Sequence, residues 1–177
     1  MKNDKKNIAR RTATDGILAA LALTLSFFES MIPDIAFLPP GAKLGLSNIA
    51  VMFAVLAVGY GDGLVIAVLK SGFVFLTRGT ASFFMSISGG VLSCVTLIAI
   101  AAASKKLHKD FSYIGISVIC AVMHNIGQIA AASVYTGTNL AASYLPMLII
   151  FGIIAGIITG IVLRTVMPAI FKIMHDA

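Results

Sequence analysis

Phe83-Phe84-Met85-Ser86-Ile87-Ser88-Gly89-Gly90-Val91-Leu92-Ser93-Cys94-Val95-Thr96-Leu97-Ile98-Ala99-Ile100-Ala101-Ala102-Ala103 runs without a single charged side chain. A helix that crosses the hydrocarbon core of a bilayer needs about 20 such residues. Working outward, the polar segment Ser104-Lys105-Lys106-Leu107-His108-Lys109-Asp110 separates this run from another over 112–135. The turn Thr136-Gly137-Thr138-Asn139 and a run over 143–166 follow, with Pro168 beyond it. Towards the N-terminus lie a run over 64–78 ending at Arg78-Gly79, the turn Gly59-Tyr60-Gly61-Asp62-Gly63, and a short run over 46–58. The first run, 13–32, stops at Pro33, and the loop from Pro33 to Lys43 carries prolines that forbid a regular helix. The expectation is an all-α bundle of six transmembrane helices forming one integral membrane domain over 1–177, with the second and third spans short for a full bilayer.

Composition points the same way. Of 177 residues, 59% are hydrophobic and 11% charged, and the mean hydropathy is +1.00. A soluble domain usually carries about 25% charged residues, and a chain this short has too little interior to hide so much apolar surface from water. The net charge of +6 raises nucleic acid as a partner, but the basic residues flank the apolar runs, as the positive-inside rule requires of a membrane protein. The N-terminus has basic residues before an apolar run, as a signal peptide does. The run continues without a small-residue cleavage site and reads as a retained helix.

Orientation follows from lysine and arginine. With the N-terminus inside, the cytoplasmic side holds Lys2, Lys5, Lys6, Arg10, Arg11, Lys105, Lys106, Lys109, Arg164 and Lys172. The outer side holds Lys43 and Arg78. That asymmetry places both termini in the cytoplasm of a cell whose plasma membrane the chain crosses, and a bacterial origin is expected.

Ala9, Ala13, Gly16, Ala20 and Thr24 lie along one face of the first helix. Small residues let membrane helices approach closely. Two readings stand: packing within the chain, or docking of another protein. Gly152, Gly156 and Gly160 form a similar ladder on the last helix, expected to pack internally. Gly89-Gly90 allows a close approach or a local break.

Ionisable groups at membrane depth usually face the bundle interior or a cavity. The candidates are Glu29, Lys43, Lys70, Arg78 and His124, joined by the polar Ser47, Asn48, Asn125 and Gln128. His124 and Gln128 are four apart and Asn125 and Gln128 three apart, so both pairs are helical neighbours. They either hydrogen-bond a ligand or bind neighbouring helices together. Glu29 pairs with Lys43 or Arg78, or meets a substrate. Lys70 either snorkels to the interface or offers its charge to an anion.

Other chemistries find no motif. Cys94 and Cys120 sit in apolar runs and read as buried thiols; no CxxC or HExxH occurs. No metal or cofactor is expected. No GxxxxGK[ST] phosphate loop occurs, so the chain has no nucleotide site of its own. The aspartates, among them Asp15, Asp34, Asp62 and Asp110, are isolated, whereas enzymes handling prenyl diphosphates hold magnesium on clustered aspartates. A binding protein is expected in preference to an enzyme.

Pro39-Pro40-Gly41-Ala42-Lys43-Leu44-Gly45-Leu46-Ser47-Asn48-Ile49 and His124-Asn125-Ile126-Gly127-Gln128 resemble the Gx transporter family, also labelled heptaprenyl diphosphate synthase component I, over nearly the whole chain. That family is similar to the S components of energy-coupling factor (ECF) transporters. The resemblance implies a six-helix protein that captures a nutrient or an isoprenoid or quinone-precursor-like ligand from outside. Its partners would be a transmembrane coupling subunit and two ATPase subunits. The docking stripe would be Ala9, Ala13, Gly16 and Ala20. The ligand would meet Asn48, His124, Asn125 and Gln128, with Lys43, Arg78 or Glu29 fixing its charge, Lys70 offering a positive charge to an anion, and the Pro39-to-Asn48 segment as rim. The family label implies an alternative, an accessory membrane subunit of prenyl diphosphate synthesis. A stand-alone carrier or channel is the third reading.

Overall fold

The computed structural model describes residues 2–32, 43, 45–108 and 111–175, with side chains for 8–32, 43, 45–108, 111–140 and 143–172. The proline-rich stretch 33–42, Leu44, Lys109 and Asp110 lie outside the described residues, as do the side chains of Lys2, Lys5 and Lys6. The described residues are helical almost throughout: α1 (Lys2–Met31), α2 (Asn48–Phe53) running into a π-helical turn (Ala54–Val58), α3 (Tyr60–Leu107), α4 (Tyr113–Thr136) and α5 (Ala141–His175).

The expected six spans become four. Ile8–Met31, Tyr60–Leu107, Tyr113–Thr136 and Ser143–Lys172 are long and apolar enough to cross a membrane, and Asn48–Val58 is a shorter apolar helix. The count falls because the expected third and fourth segments are one helix interrupted only at Gly79, whose φ of 81° and ψ of −174° are not helical. That single residue reverses the chain. Ser71 and Ser86 hydroxyls are 3.1 Å apart, whereas fifteen positions of straight helix would separate them by about 22 Å. The Phe75 and Phe83 rings, 5.7 Å between centroids, stack edge to face beside the reversal. The two arms of α3, residues 60–78 and 80–107, therefore lie side by side.

Other boundaries shift for local reasons. The glycine cluster 59–63 reads as a turn, yet only Gly59 is extended and α3 starts at Tyr60. Gly63 is spent on packing: a Cβ there would collide with Val55. Asp62 is taken by Arg11, whose guanidinium reaches its carboxylate at 2.7 and 3.0 Å and ties α1 to the start of α3. The last helix continues through Pro168, beyond the expected end at 166. Helices in membrane proteins tolerate proline where neighbouring groups re-satisfy the backbone.

The bundle buries polar side chains among its apolar core and exposes many large apolar ones. Buried polar side chains include Ser26, Glu29, Lys70, His124, Asn125 and Gln128, while Ile150, Ile153, Ile154, Ile157, Ile158 and Ile161 of α5 are exposed. In water so much exposed apolar surface on one helix would be costly; in lipid, exposed isoleucines need no cover.

Glycines set the helix contacts. Ideal Cβ atoms on Gly156 and Gly160 would come within 2.5 Å of Val118 Cα and 2.6 Å of Ile114 Cα, and one on Gly152 within 3.3 Å of Val122 Cα. α5 thus climbs antiparallel along α4 in steps of four, and the expected internal packing of this ladder holds. Gly127 meets Ser88 O at 2.7 Å and Gly89 Cα at 2.8 Å in the same sense, so α4 also touches the second arm of α3 backbone to backbone. The helix runs unbroken through Gly89-Gly90, which settles for close approach over a break. On α1 the faces divide differently. Leu18, Ala22, Ser26 and Glu29 are buried. Ala9, Ala13, Gly16, Ala20 and Thr24 are exposed, and nothing lies within 4 Å of a Cβ on Gly16. The α1 stripe is therefore not used for packing within the described chain.

The two ladders should respond oppositely to bulk. Gly156→Leu is expected to lower the thermal unfolding midpoint in detergent, consistent with an overpacking cost of about 1–3 kcal/mol. Gly16→Leu should leave the midpoint unchanged or raise it slightly.

Candidate functional site

The site begins with the stretch just before α2. Gly45, at φ +78°, opens the turn, and its carbonyl accepts from Asn48 N at 2.9 Å. The first amides of a helix have no partner within it. Here Glu29 of α1 supplies one: Oε1 accepts from Leu46 N at 2.7 Å, and Oε2 accepts from Ser47 Oγ at 2.8 Å and Ser47 N at 3.3 Å. A carboxylate there also suits the positive end of the helix dipole. Glu29 is 5% exposed, so these bonds compensate much of the cost of burying its charge.

Gln128 of α4 holds the same stretch from the other side. Its amide donates to Lys43 O at 3.0 Å and accepts from Lys43 N at 3.2 Å. The Lys43 ammonium reaches Ile32 O, just past the end of α1, at 2.7 Å. Lys70, on the first arm of α3, is 2% exposed and donates to Asn48 Oδ1 at 2.5 Å. It does not snorkel. The His124 ring lies between two glycines: Cβ atoms would fall 3.0 Å from Cδ2 if placed on Gly45 and 2.8 Å from Nδ1 if placed on Gly89. His124 Nδ1 is buried without a hydrogen-bond partner among the described residues.

Seven of the expected residues, Glu29, Lys43, Ser47, Lys70, Arg78, His124 and Gln128, line one cavity. Asn48 joins it through Lys70. Asn125 does not face it: its amide donates to Leu148 O at 2.7 Å and fastens α4 to α5. Sequence reasoning missed Ser26, Ser82 and Ser86, which complete the polar wall with Ser47. Their signal was spacing: Ser26 precedes Glu29 by one helical turn, and Ser82 and Ser86 are one turn apart on the arm facing Lys70.

The cavity holds about 30 Å³. One water needs roughly 10–15 Å³ of such space, and organic ligands occupy sites of about 300–1,000 Å³. In this arrangement the walls are closed on each other. Lys43, Lys70 and Arg78 bring three cationic side chains to the described walls, and the carboxylate among the described lining residues, Glu29, is engaged at the start of α2. The arrangement can hold a small anionic group by hydrogen bonding and charge, provided the walls part.

Fold and site together define an all-helical protein, with four helices able to span a membrane, built around a polar centre that buries Glu29 and Lys70. A family model described as heptaprenyl diphosphate synthase component I matches residues 18–166, and the chain belongs to that family. No curated protein and no solved structure matches it.

Glu29→Ala should cost stability, because it orphans the amides of Leu46 and Ser47; about 1–3 kcal/mol is expected, read from thermal unfolding in detergent. Gln128→Leu should speed hydrogen exchange in a peptide covering 43–49. Lys43→Ala should leave that exchange much less affected, since both bonds from Gln128 go to the Lys43 backbone.

Proposed function

We propose that this chain is a substrate-capture subunit resembling the S components of ECF transporters. It takes up a small ligand bearing an anionic group from outside the cell, and it binds without catalysing. The observation that carries this reading is the convergence of Glu29, Lys43, Lys70, Arg78, His124 and Gln128 on one cavity. Isolated charges in a bilayer are expensive, and a cavity whose described lining includes Lys43, Lys70 and Arg78 suits a ligand with an anionic group. A nutrient of that charge, or an isoprenoid or quinone precursor with an acidic head, fits this chemistry. Entry of such a ligand requires release of the Gln128–Lys43 bonds, which close the wall between α4 and the start of α2.

In this reading the two arms of α3 and the short α2 count as separate crossings, giving six. The termini face the cytoplasm. Support comes from the ends of the bundle: Arg11 pairs with Asp62 and Lys105 sits by Tyr60 at one end, while Lys43 and Arg78 lie by the polar cavity. The exposed stripe Ala9, Ala13, Gly16 and Ala20 is the docking face for a transmembrane coupling subunit with its two ATPases. Without a phosphate loop of its own, the chain needs such partners to move its ligand uphill.

The family description favours a second reading, an accessory membrane subunit of heptaprenyl diphosphate synthesis. Gentle-detergent purification from native membranes, with co-purifying proteins identified by mass spectrometry, separates the two. Capture by an ECF module predicts a multispan coupling protein with ATPases, lost in Gly16→Leu while thermal stability is kept. A soluble prenyl synthase without ATPases overturns the transporter reading. For the site itself, His124→Ala should weaken ligand binding with little change in unfolding temperature; equal loss of both marks His124 as a packing residue.

A further inference from the structure

A second cavity, of about 740 Å³, lies at the opposite end of the bundle from Lys43 and Arg78. It sits among the π-helical tail of α2, both ends of α3, the start of α4 and the end of α5. Its deep wall is apolar, with Leu97 1% and Ile116 9% exposed, and Leu56 and Ala101 continue it. Tyr60, Tyr113 and Lys105 add polar groups to the lining. Lys105 is held there: its ammonium lies 5.4 Å from the centroid of the Tyr60 ring, a cation–π distance.

The volume falls within the range of about 300–1,000 Å³ typical of sites for organic ligands, unlike the closed polar cavity. A cavity with an apolar deep wall, and with a cation and two phenols in its lining, is complementary to an amphiphile with an anionic head. Among the described residues no group of three His, Cys, Asp or Glu side chains gathers to hold a metal, so metal-dependent occupants gain nothing here. The cavity also lies at the end of the bundle carrying Arg11, Lys105 and Lys106, where clustered basic residues attract anionic lipids.

We infer that this cavity is a binding site for an anionic membrane phospholipid, with an acyl chain between Leu97 and Ile116 and the head on Lys105. The lipid would fill the gap left between α2 and the ends of α3, α4 and α5. It therefore braces the end of the bundle remote from the polar cavity.

The test uses the full-length chain, delipidated in detergent, with thermal unfolding read after adding phosphatidylglycerol, phosphatidylcholine or glycerol phosphate. Phosphatidylglycerol should raise the midpoint by on the order of a few degrees more than phosphatidylcholine, as preferential binding to the native state requires. Glycerol phosphate should do nothing. Lys105→Gln should reduce the phosphatidylglycerol effect to that of phosphatidylcholine, while Lys106→Gln, outside the cavity lining, should keep it. Ala101→Phe, which fills the chamber, should abolish it; if that variant does not fold, native mass spectrometry of wild type and Lys105→Gln decides by the retained lipid mass. Equal shifts from both lipids, or protection by glycerol phosphate alone, overturn the proposal. So does a phosphatidylglycerol effect that survives in Lys105→Gln.

Discussion

The Glu29 carboxylate at the start of α2 is the constraint on which the rest of the polar centre depends. Its two oxygens take the amides of Leu46 and Ser47 and the Ser47 hydroxyl. With those groups fixed, Asn48 is presented to Lys70, and Gly45 lies close enough to the His124 ring to leave no room for a side chain. Gln128 then needs only the Lys43 backbone to complete the enclosure. A buried carboxylate is usually justified by an opposite charge. Here part of the compensation is a helix terminus and the Ser47 hydroxyl.

Around this centre the packing is glycine-made. Lipid supplies no hydrophobic drive between helices, so close backbone approach does the work. α4 is the element held on both sides, by Gly152, Gly156 and Gly160 from α5 and by Gly89 against Gly127 from α3. It is also the element that carries His124, Asn125 and Gln128. The most firmly packed helix therefore presents the polar residues, one of which, Asn125, reinforces the packing instead of facing the cavity.

Much of this was legible in the sequence, and the reasons for the exceptions are physical. Apolar runs with basic flanks announce membrane helices because hydropathy and charge act locally. Lys70, His124 and Gln128 stood out because a polar side chain in an apolar run must have a destination. Ser26, Ser82 and Ser86 did not, since serine is common in membrane helices and only the neighbouring helix decides whether it lines a cavity. The α1 stripe was visible as a spacing, but spacing does not say whether a face looks in or out; the burial of Leu18 and Ala22 on the other side decides that. Glycine was misread at 59–63, where one of the glycines serves packing against Val55 and not a turn. The junction between the third and fourth runs was misjudged because a gap at 79–82 implies a loop, whereas a single φ of +81° suffices to reverse the chain.

That reversal at Gly79 leaves almost no slack between the arms of α3. With helix resuming at Thr80, one arm cannot slide past the other without unwinding a turn, and the Ser71–Ser86 contact stays in register. What freedom remains is angular, concentrated in the two dihedral angles of one residue. The pair behaves like a stiff hairpin spring: it can splay at its far end, between Tyr60 and Leu107, more easily than beside Gly79. Changes of shape near Tyr60 and Lys105 are thus geometrically linked to the spacing of Lys70 and Ser86 midway along the arms, a mechanical lever of fixed length built from one glycine.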